Sequence, residues 1–414
     1  MQHCNDSVNF KVLLAILIVS ACLRLWGAFD ITGYTGDESF HVPSAISLGQ
    51  YGTPLSSNWT HPPAGALILL GTITLFGDNP VGWRIGGIVF GTVSVGLLYL
   101  VAFRLYRNEM AALLAATLLA MDPFHIYFSR TTFMEIPVLC FFLMFLYFML
   151  KYAEDGSRWS LPLAGVALGL TAATKSYFVC SMLLVIGYAW WKKWQQKDGQ
   201  ATHVLDFLCY LLCLPVAIYL LSYYHWFGRG FTLQEFFQMR GDALWTLRNI
   251  TIDSFENKWF LEVGGQPWEW FVKPIVFGYQ FETNRYLLEI NNFPIRLFSL
   301  FSLIALTVHG WRRRLAPLLV PPILFASVYL LFLLLNRPMS SSSALVVLPF
   351  AYLALARAVV LLEEQYCRAC RLSLIALVLI VFWGAYLYPL ATGRVVSDSL
   401  YSPILSSAKI MRMQ

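Results

Sequence analysis

The chain has 414 residues, of which 58% are apolar and 13% charged, with a formal net charge of +6. Charged residues make up roughly a quarter of an ordinary soluble protein, so this composition excludes one and indicates a membrane protein. The positive charge does not indicate nucleic-acid binding, because the position of Lys and Arg in a membrane protein is more informative than their sum.

Apolar segments long enough to cross a membrane recur along the whole chain. A spanning helix needs about 17 to 25 mainly apolar residues. The candidate segments are 10–29, 82–103, 110–128, 133–151, 161–174, 176–191, 204–225, 293–310, 316–335, 341–362 and 372–390. They predict an all-α polytopic protein with about 11 transmembrane helices, and a single transmembrane domain over residues 1–414. Whether 161–191 is two spans or one broken segment is left open.

The distribution of Lys and Arg orients these spans. Placing the N-terminus in the cytoplasm puts most Lys and Arg of the short connections inside, as the positive-inside rule expects. The prediction is therefore N-in and C-out, with two long outer segments, 30–81 and 226–292. Short helices are expected on the outer face at 41–50 and around 233–247, where apolar residues recur at helical spacing. Residues 64–75 are apolar but too few to span, so they are expected at the interface or in a re-entrant position.

Polar residues able to carry chemistry are concentrated on the predicted outer side, in the first long segment and in the short connections and span ends. They are Asp37, Glu38, His41, His61, Arg84, Arg130, Glu135, Lys175 and Arg337. Charge at a membrane boundary is costly and usually functional. Acids that can act as a base, beside cations that can hold a phosphate, indicate transfer chemistry on a phosphate-linked substrate. The same residues also allow simpler structural interpretations. These are a solvated acidic pair at 37–38, an ion pair of Arg130 with Glu135, and a structural hydrogen bond for His61.

Several segments resemble one family and occur in the family's order. They are TGDESFHV, THPPAGALI, DPFHIYFSRTTFMEIPVL, ALGLTAATKSYF, QPWEWFVKPIVFGY and NRPMSSSSALVVLPF. Together they resemble the protein O-mannosyltransferases and the related aminoarabinose transferase-like enzymes (glycosyltransferase family 39), which are polytopic GT-C glycosyltransferases. The match covers most of the chain. Within these 414 residues we expect no counterpart of the large outer domain of some relatives.

The resemblance implies a polyprenyl-phosphate sugar as co-substrate and transfer, with inversion, to an acceptor hydroxyl on a protein, glycan or lipid. Asp37 would be the general base, supported by Glu38. Arg130, Lys175, Arg337 and Arg84 would hold the donor phosphate, and His61, Glu135, His41, Trp268 and Trp270 would contact acceptor or sugar, although membrane anchoring is the simpler account of the two tryptophans. A divalent cation at Asp37 and Glu38 is left open.

The expected location is a bacterial or archaeal cell membrane, surrounded by membrane lipid, with the active site on the outer face. A secondary transporter or a lipid-linked sugar flippase is the alternative function. Transporters typically show internal repeats and ionisable residues at the membrane midplane. Here the sequence shows no repeat, and the acids lie in the predicted outer segments.

Overall fold

The fold is described from a computed structural model, which describes residues 8–53, 59–132, 134–175, 177–195, 200–249, 266–334, 340–366 and 371–412. Most of this part of the chain is helical. The α-helices are α1 Phe10–Leu25, α2 Glu38–Tyr51, α3 Ala64–Phe76, α4 Pro80–Tyr106, α5 Glu109–Met121, α6 Pro123–Ser129, α7 Glu135–Asp155, α8 Ser160–Thr174, α9 Val179–Gln195, α10 Gln200–Leu208, α11 Leu214–Ser222, α12 Tyr224–Gly228, α13 Leu233–Asn249, α14 Phe293–Arg313, α15 Ala316–Leu334, α16 Leu348–Tyr366, α17 Leu372–Ala391 and α18 Asp398–Leu405. The strands are β1 Val276–Glu282, β2 Arg285–Ile290 and β3 Lys409–Arg412.

Helices long and apolar enough to cross a membrane make this a multi-pass membrane protein. Among the described residues there are six, or seven if the bent pair α5 and α6 is one span. The six are Pro80–Tyr106, Glu135–Asp155, Val204–Ser222, Phe293–Arg313, Ala316–Leu334 and Leu372–Ala391. The third of these joins α10 and α11 through the π-helical turn Cys209–Cys213. Helix occurs at each of the eleven predicted positions, but several helices fall short of this test, so eleven spans stay a prediction. The 161–191 segment forms two helices, α8 and α9.

Local sequence explains why α5 and α6 form a bend. Asn108 begins α5 because its side chain accepts a hydrogen bond from the Ala111 amide. The helix ends before Pro123, since proline lacks the N–H that would continue it. Asp122 then caps α6 by accepting from the Phe124 amide, and the two helices meet at 60°. The bend leads toward the predicted short outer connection between the third and fourth spans, which contains Arg130.

The chain groups into two compact units. One unit comprises Thr32–Phe90 and Thr131–Ile250 and holds most of the candidate acids. Within it, α2 packs on α3 through Val42, Ala45, Leu69 and Ile73. This packing fixes the start of α2, where Asp37 and Glu38 lie.

Helix α8 of the same unit packs closely on the helical segment that includes α11. A Cβ atom added at Gly165 would lie 2.0 Å from the Tyr210 carbonyl oxygen, and one at Gly169 would lie 3.0 Å from Pro215 Cα. Small residues four apart allow helix backbones to approach this closely in membranes. The contact fixes the C-terminal end of α8, which Lys175 follows directly.

The other unit comprises Met1–Ile31, Gly91–Arg130 and Thr251–Gln414, and it contains a three-stranded sheet. β1 pairs with β2 as an antiparallel hairpin and with β3 in parallel, so the strand order is β2-β1-β3. Tyr286, Leu288 and Ile290 on one face of the sheet pack against Leu387 and Leu390 of α17. The all-α prediction was wrong here: an aromatic-rich segment suits a membrane interface and a half-buried strand equally well.

Candidate active site

The turn before α2 is held by a buried ion pair between Glu38 and Arg84. Arg84 Nε lies 2.8 Å from Glu38 Oε1, and Arg84 Nη2 lies 2.8 Å from Glu38 Oε2. The same Nη2 donates to the Gly33 carbonyl at 2.9 Å, and the Thr35 amide donates to Glu38 Oε2 at 2.8 Å. Both side chains of the pair are almost fully buried. This geometry gives Arg84 a structural partner and makes it a poor candidate for the donor phosphate.

Asp37 precedes α2 but does not use its carboxylate to cap that described helix. The residue is half-buried. The pKa of Asp37 is raised to about 6, chiefly by burial and also by the Glu135 carboxylate, while the Lys175 ammonium acts in the opposite direction. A carboxylate whose pKa lies near the operating pH is suited to act as a general base. Asp37 is therefore the best-placed base in this unit.

His41 follows Asp37 by one helical turn and is buried. The pKa of His41 is lowered to about 4, chiefly by burial and also by the Lys175 ammonium, while the Glu135 carboxylate acts in the opposite direction. The imidazole is thus neutral at physiological pH. A neutral imidazole can donate and accept one hydrogen bond each, which suits a contact to a sugar or acceptor hydroxyl better than one to a phosphate charge.

Lys175 finds its anionic partner in Glu135, forty residues earlier in the chain. Lys175 Nζ lies 2.7 Å from Glu135 Oε1, and both side chains are buried. The Tyr177 hydroxyl lies 3.3 Å from Lys175 Nζ and 3.4 Å from Glu135 Oε1. An ammonium group has three N–H donors, and these two contacts engage two of them. The sequence also allowed Arg130 as the partner of Glu135; the structure pairs Glu135 with Lys175.

Arg130, in the other unit, contacts carbonyl groups at two helix ends. Its guanidinium donates to the Trp26 carbonyl at 2.9 Å and to the Thr392 carbonyl at 3.3 Å. Trp26 and Thr392 are the C-terminal caps of α1 and α17. Because the C-terminal end of a helix carries partial negative charge, a buried cation stabilises both ends at once. Arg130 is therefore a clamp between α1 and α17 before any phosphate role is considered.

We expect Arg130→Lys to lower the free energy of unfolding by about 1.5–3 kcal/mol, the value of a hydrogen bond to a charged group. A lysine has a single nitrogen and cannot reproduce the fork that contacts both helix ends. Thermal unfolding and the KM for the lipid donor should be measured together. An unchanged melting temperature with a raised donor KM would contradict the clamp and support the phosphate role predicted from sequence.

The remaining predicted site residues lie in different surroundings. His61 is half-buried just before α3, and Arg337 lies outside the described residues. Trp268 is 53% exposed, which suits a headgroup or substrate contact. Trp270 is fully buried, with its ring against Tyr329 and Phe332. The expectation that Trp270 contacts a sugar therefore does not fit: its indole has no exposed surface.

Tyr177 and Thr35 are site residues that the sequence reasoning missed. Tyr177 contacts both members of the Lys175–Glu135 pair, and Thr35 binds Glu38 through its amide and its hydroxyl. Each lies two or three residues from a residue already selected, so proximity in the sequence was the available signal. Among the described residues, no group of three His, Cys, Asp or Glu is arranged for a metal, and a divalent cation stays a prediction.

Comparison with known proteins gives a family-model match and several similar proteins. The family model for dolichyl-phosphate-mannose-protein mannosyltransferase matches residues 60–223. The polyprenol-phosphate-mannose–protein mannosyltransferase of Mycolicibacterium smegmatis is 27% identical over 260 residues, covering 52% of this chain and 49% of that protein. The undecaprenyl phosphate-alpha-4-amino-4-deoxy-L-arabinose arabinosyl transferase of Pseudomonas aeruginosa is 31% identical over 186 residues. This match covers 42% of this chain and 32% of that protein. The chain spans about half the length, or less, of these two bacterial relatives.

The solved S. cerevisiae protein O-mannosyltransferase complex bound to the sugar donor superposes with a TM-score of 0.83 at 14% identity. The match covers 98% of this chain and 93% of that one. The chain therefore shares the fold of that solved protein chain. The resemblance to the protein O-mannosyltransferase and aminoarabinose transferase group, predicted from the motifs, is confirmed.

Proposed function

We propose that this chain is an integral-membrane glycosyltransferase that moves a sugar from a polyprenyl-phosphate donor to an acceptor hydroxyl on the outer face of the membrane. The observation that carries the proposal is Asp37, a half-buried carboxylate with a pKa of about 6 beside the buried Lys175–Glu135 pair. Such a transfer releases a proton from the acceptor hydroxyl and develops negative charge on the leaving phosphate. A base and a cation in one unit can take the proton and stabilise that charge. The relatives are named for polyprenyl-phosphate-linked donors, which supports such a donor here.

In the proposed reaction, the acceptor oxygen attacks the anomeric carbon of the donor while Asp37 takes the hydroxyl proton. The bond between the anomeric carbon and the phosphate oxygen breaks, and polyprenyl phosphate leaves with the electron pair. Phosphate is already a good leaving group, so no general acid is needed. Lys175 would stabilise its growing negative charge with its remaining donor. Glu135 and Tyr177 would hold Lys175 in place.

Glu38 and Arg84 have a positioning role in this proposal. Their ion pair, with the bonds to Thr35 and Gly33, fixes the backbone that presents Asp37. A base contributes fully only when it lies within hydrogen-bond reach of the proton that it removes. His41 would contact acceptor or sugar as a neutral group. The proposed acceptor is a hydroxyl group of a protein, a glycan or a lipid.

The test is turnover by purified protein in detergent, where no membrane gradient exists. The protein is incubated with polyprenyl-phosphate mannose, or with the aminoarabinose donor, and membrane extract as a source of acceptors. An enzyme releases polyprenyl phosphate in step with the appearance of a glycosylated product. Intact donor with every acceptor fraction, together with gradient-dependent movement of the donor in vesicles, would overturn the proposal in favour of transport.

The pH dependence of transfer provides a second check on Asp37. A base must be deprotonated to act, and burial raises the pKa of Asp37 to about 6. We therefore expect kcat/KM to rise about tenfold per pH unit below about pH 6 and to level off above it. The profile is measured with stability monitored at each pH. A plateau that extends unchanged down to pH 4.5 would contradict a base with this pKa.

A further inference from the structure

A long apolar groove lies in the unit that contains the sheet, and none of its lining residues is used in the proposed reaction. It is bounded by α5, α14, α16 and α17 and has a volume of about 830 Å³. Its wall is almost entirely aliphatic and aromatic, and Phe298, Phe301 and Leu379 each leave more than half of their surface exposed. An apolar groove of this size needs an occupant.

The groove follows the helices for most of the thickness of a membrane. On α14 it is lined from Pro294 to His309. At 1.5 Å per residue this is about 22 Å, compared with about 30 Å for the hydrocarbon core of a bilayer. A channel of this length and polarity suits extended acyl chains lying parallel to the helices.

One end of the groove carries cations. His309 lines the groove, and Arg312 and Arg313 follow three and four residues later, on the same face of α14. Arg371 immediately precedes Leu372, another lining residue. All three arginines are exposed.

Two acids lie at the same end. Glu364 pairs with Arg357 at 3.1 Å, whereas Glu363 accepts from the amide of Ser373, contacts its hydroxyl and also attracts Arg371. Glu363 therefore offsets part of the charge of Arg371, but three exposed arginines, Arg312, Arg313 and Arg371, against this one acid leave the rim with a net positive charge. We call these three residues the arginine rim.

We propose that this groove binds an anionic phospholipid, with its acyl chains along the apolar wall and its phosphate at the arginine rim. The positive-inside rule assigns the rim to the cytoplasmic side, and anionic lipids are attracted to basic residues there. A second copy of the chain is a poorer occupant. A two-fold axis through the groove, parallel to the helices, would bring two arginine rims together and make them repel.

The experiment uses the full chain in nanodiscs made from mixtures of phosphatidylglycerol and phosphatidylcholine, with native mass spectrometry to count the lipids that stay bound. Wild type is expected to retain phosphatidylglycerol preferentially. The double variant Arg312→Gln, Arg313→Gln should lose about fivefold in that preference per arginine removed. Ala305→Trp, which fills the groove, should lower retention of both lipids. The matched control is Lys11→Gln, Arg158→Gln, two exposed cations that do not line the groove, and it should behave as wild type.

Equal retention of the two lipids by wild type would overturn the proposal. So would retention that neither the arginine variant nor the groove-filling variant changes. A lipid-free dimer that Ala305→Trp dissociates would assign the groove to a second copy of the chain. Thermal unfolding of each variant shows that a loss of lipid is not a loss of fold, since all four substituted cations are exposed.

Discussion

Asp37→Asn is expected to lower the rate of sugar transfer by about 10²–10⁴-fold, the usual contribution of a positioned general base. The amide keeps the shape of the carboxylate but cannot take the acceptor proton. Stability should stay close to wild type, because the Asp37 side chain does not cap α2 in the described structure and takes no part in the Glu38–Arg84 pair. The measurement is transfer from polyprenyl-phosphate sugar under saturating donor.

The matched control is Asp78→Asn. Asp78 lies in the same predicted outer segment, is exposed, and accepts a hydrogen bond from the Trp83 indole. It should retain wild-type transfer. If Asp37→Asn also transfers sugar at the wild-type rate, Asp37 is not the base. If both variants lose activity equally, the effect belongs to the charge of the segment and not to Asp37.

Arg84→Met is expected to destabilise the protein by about 3–5 kcal/mol. Removing one member of a buried ion pair leaves the other charge without compensation in a low-dielectric surrounding. Here the remaining group would be Glu38, whose side chain has no exposed surface. Transfer should fall as well, because the turn that presents Asp37 loses its bonds to Glu38 and Gly33. Thermal unfolding in detergent measures the first effect.

Arg357→Met is the control for this prediction. Arg357 pairs with Glu364 at 3.1 Å, but the Glu364 side chain is 44% exposed. Exposed ion pairs contribute about 0–1 kcal/mol, so this variant should unfold near the wild-type temperature. Wild-type stability of Arg84→Met, combined with weaker donor binding, would instead support the phosphate role that the sequence suggested for Arg84.

The sequence was a good guide to the helices because their signals are local. The helix predicted at 41–50 is α2, Glu38–Tyr51, and it ends at Gly52, whose φ of +71° suits glycine. The apolar segment at 64–75 is α3, Ala64–Phe76. Both depend on the spacing of apolar residues and on residues that end helices, which a single sequence displays.

The pairings within the site could not be predicted, because they join residues far apart in the chain. Glu38 and Arg84 are 46 positions apart, and Glu135 and Lys175 are 40 apart. The sequence showed which charges would need partners but not which partner each would take. Arg84 was accordingly assigned to the phosphate, and Lys175 was left without a counterion.

The aromatic-rich part of the second outer segment shows why composition alone was ambiguous. Membrane anchoring was the simpler account of Trp268 and Trp270, and no strand was predicted there, because aromatic side chains are common at membrane interfaces. The structure buries Trp270 against Tyr329 and Phe332, and it pairs β1 with β2 and β3. Aromatic residues are favoured at interfaces, in cores and in strands alike, so their presence alone does not distinguish these places.

The anomeric configuration of the transferred sugar tests the central claim most directly. The proposed reaction is a single displacement, in which Asp37 removes a proton while the acceptor oxygen attacks the anomeric carbon. The product should therefore have the anomeric configuration opposite to that of the polyprenyl-phosphate donor. NMR of the product made by purified protein measures this configuration. Retention of configuration would contradict the account, because it requires two displacements through a covalent sugar–carboxylate intermediate.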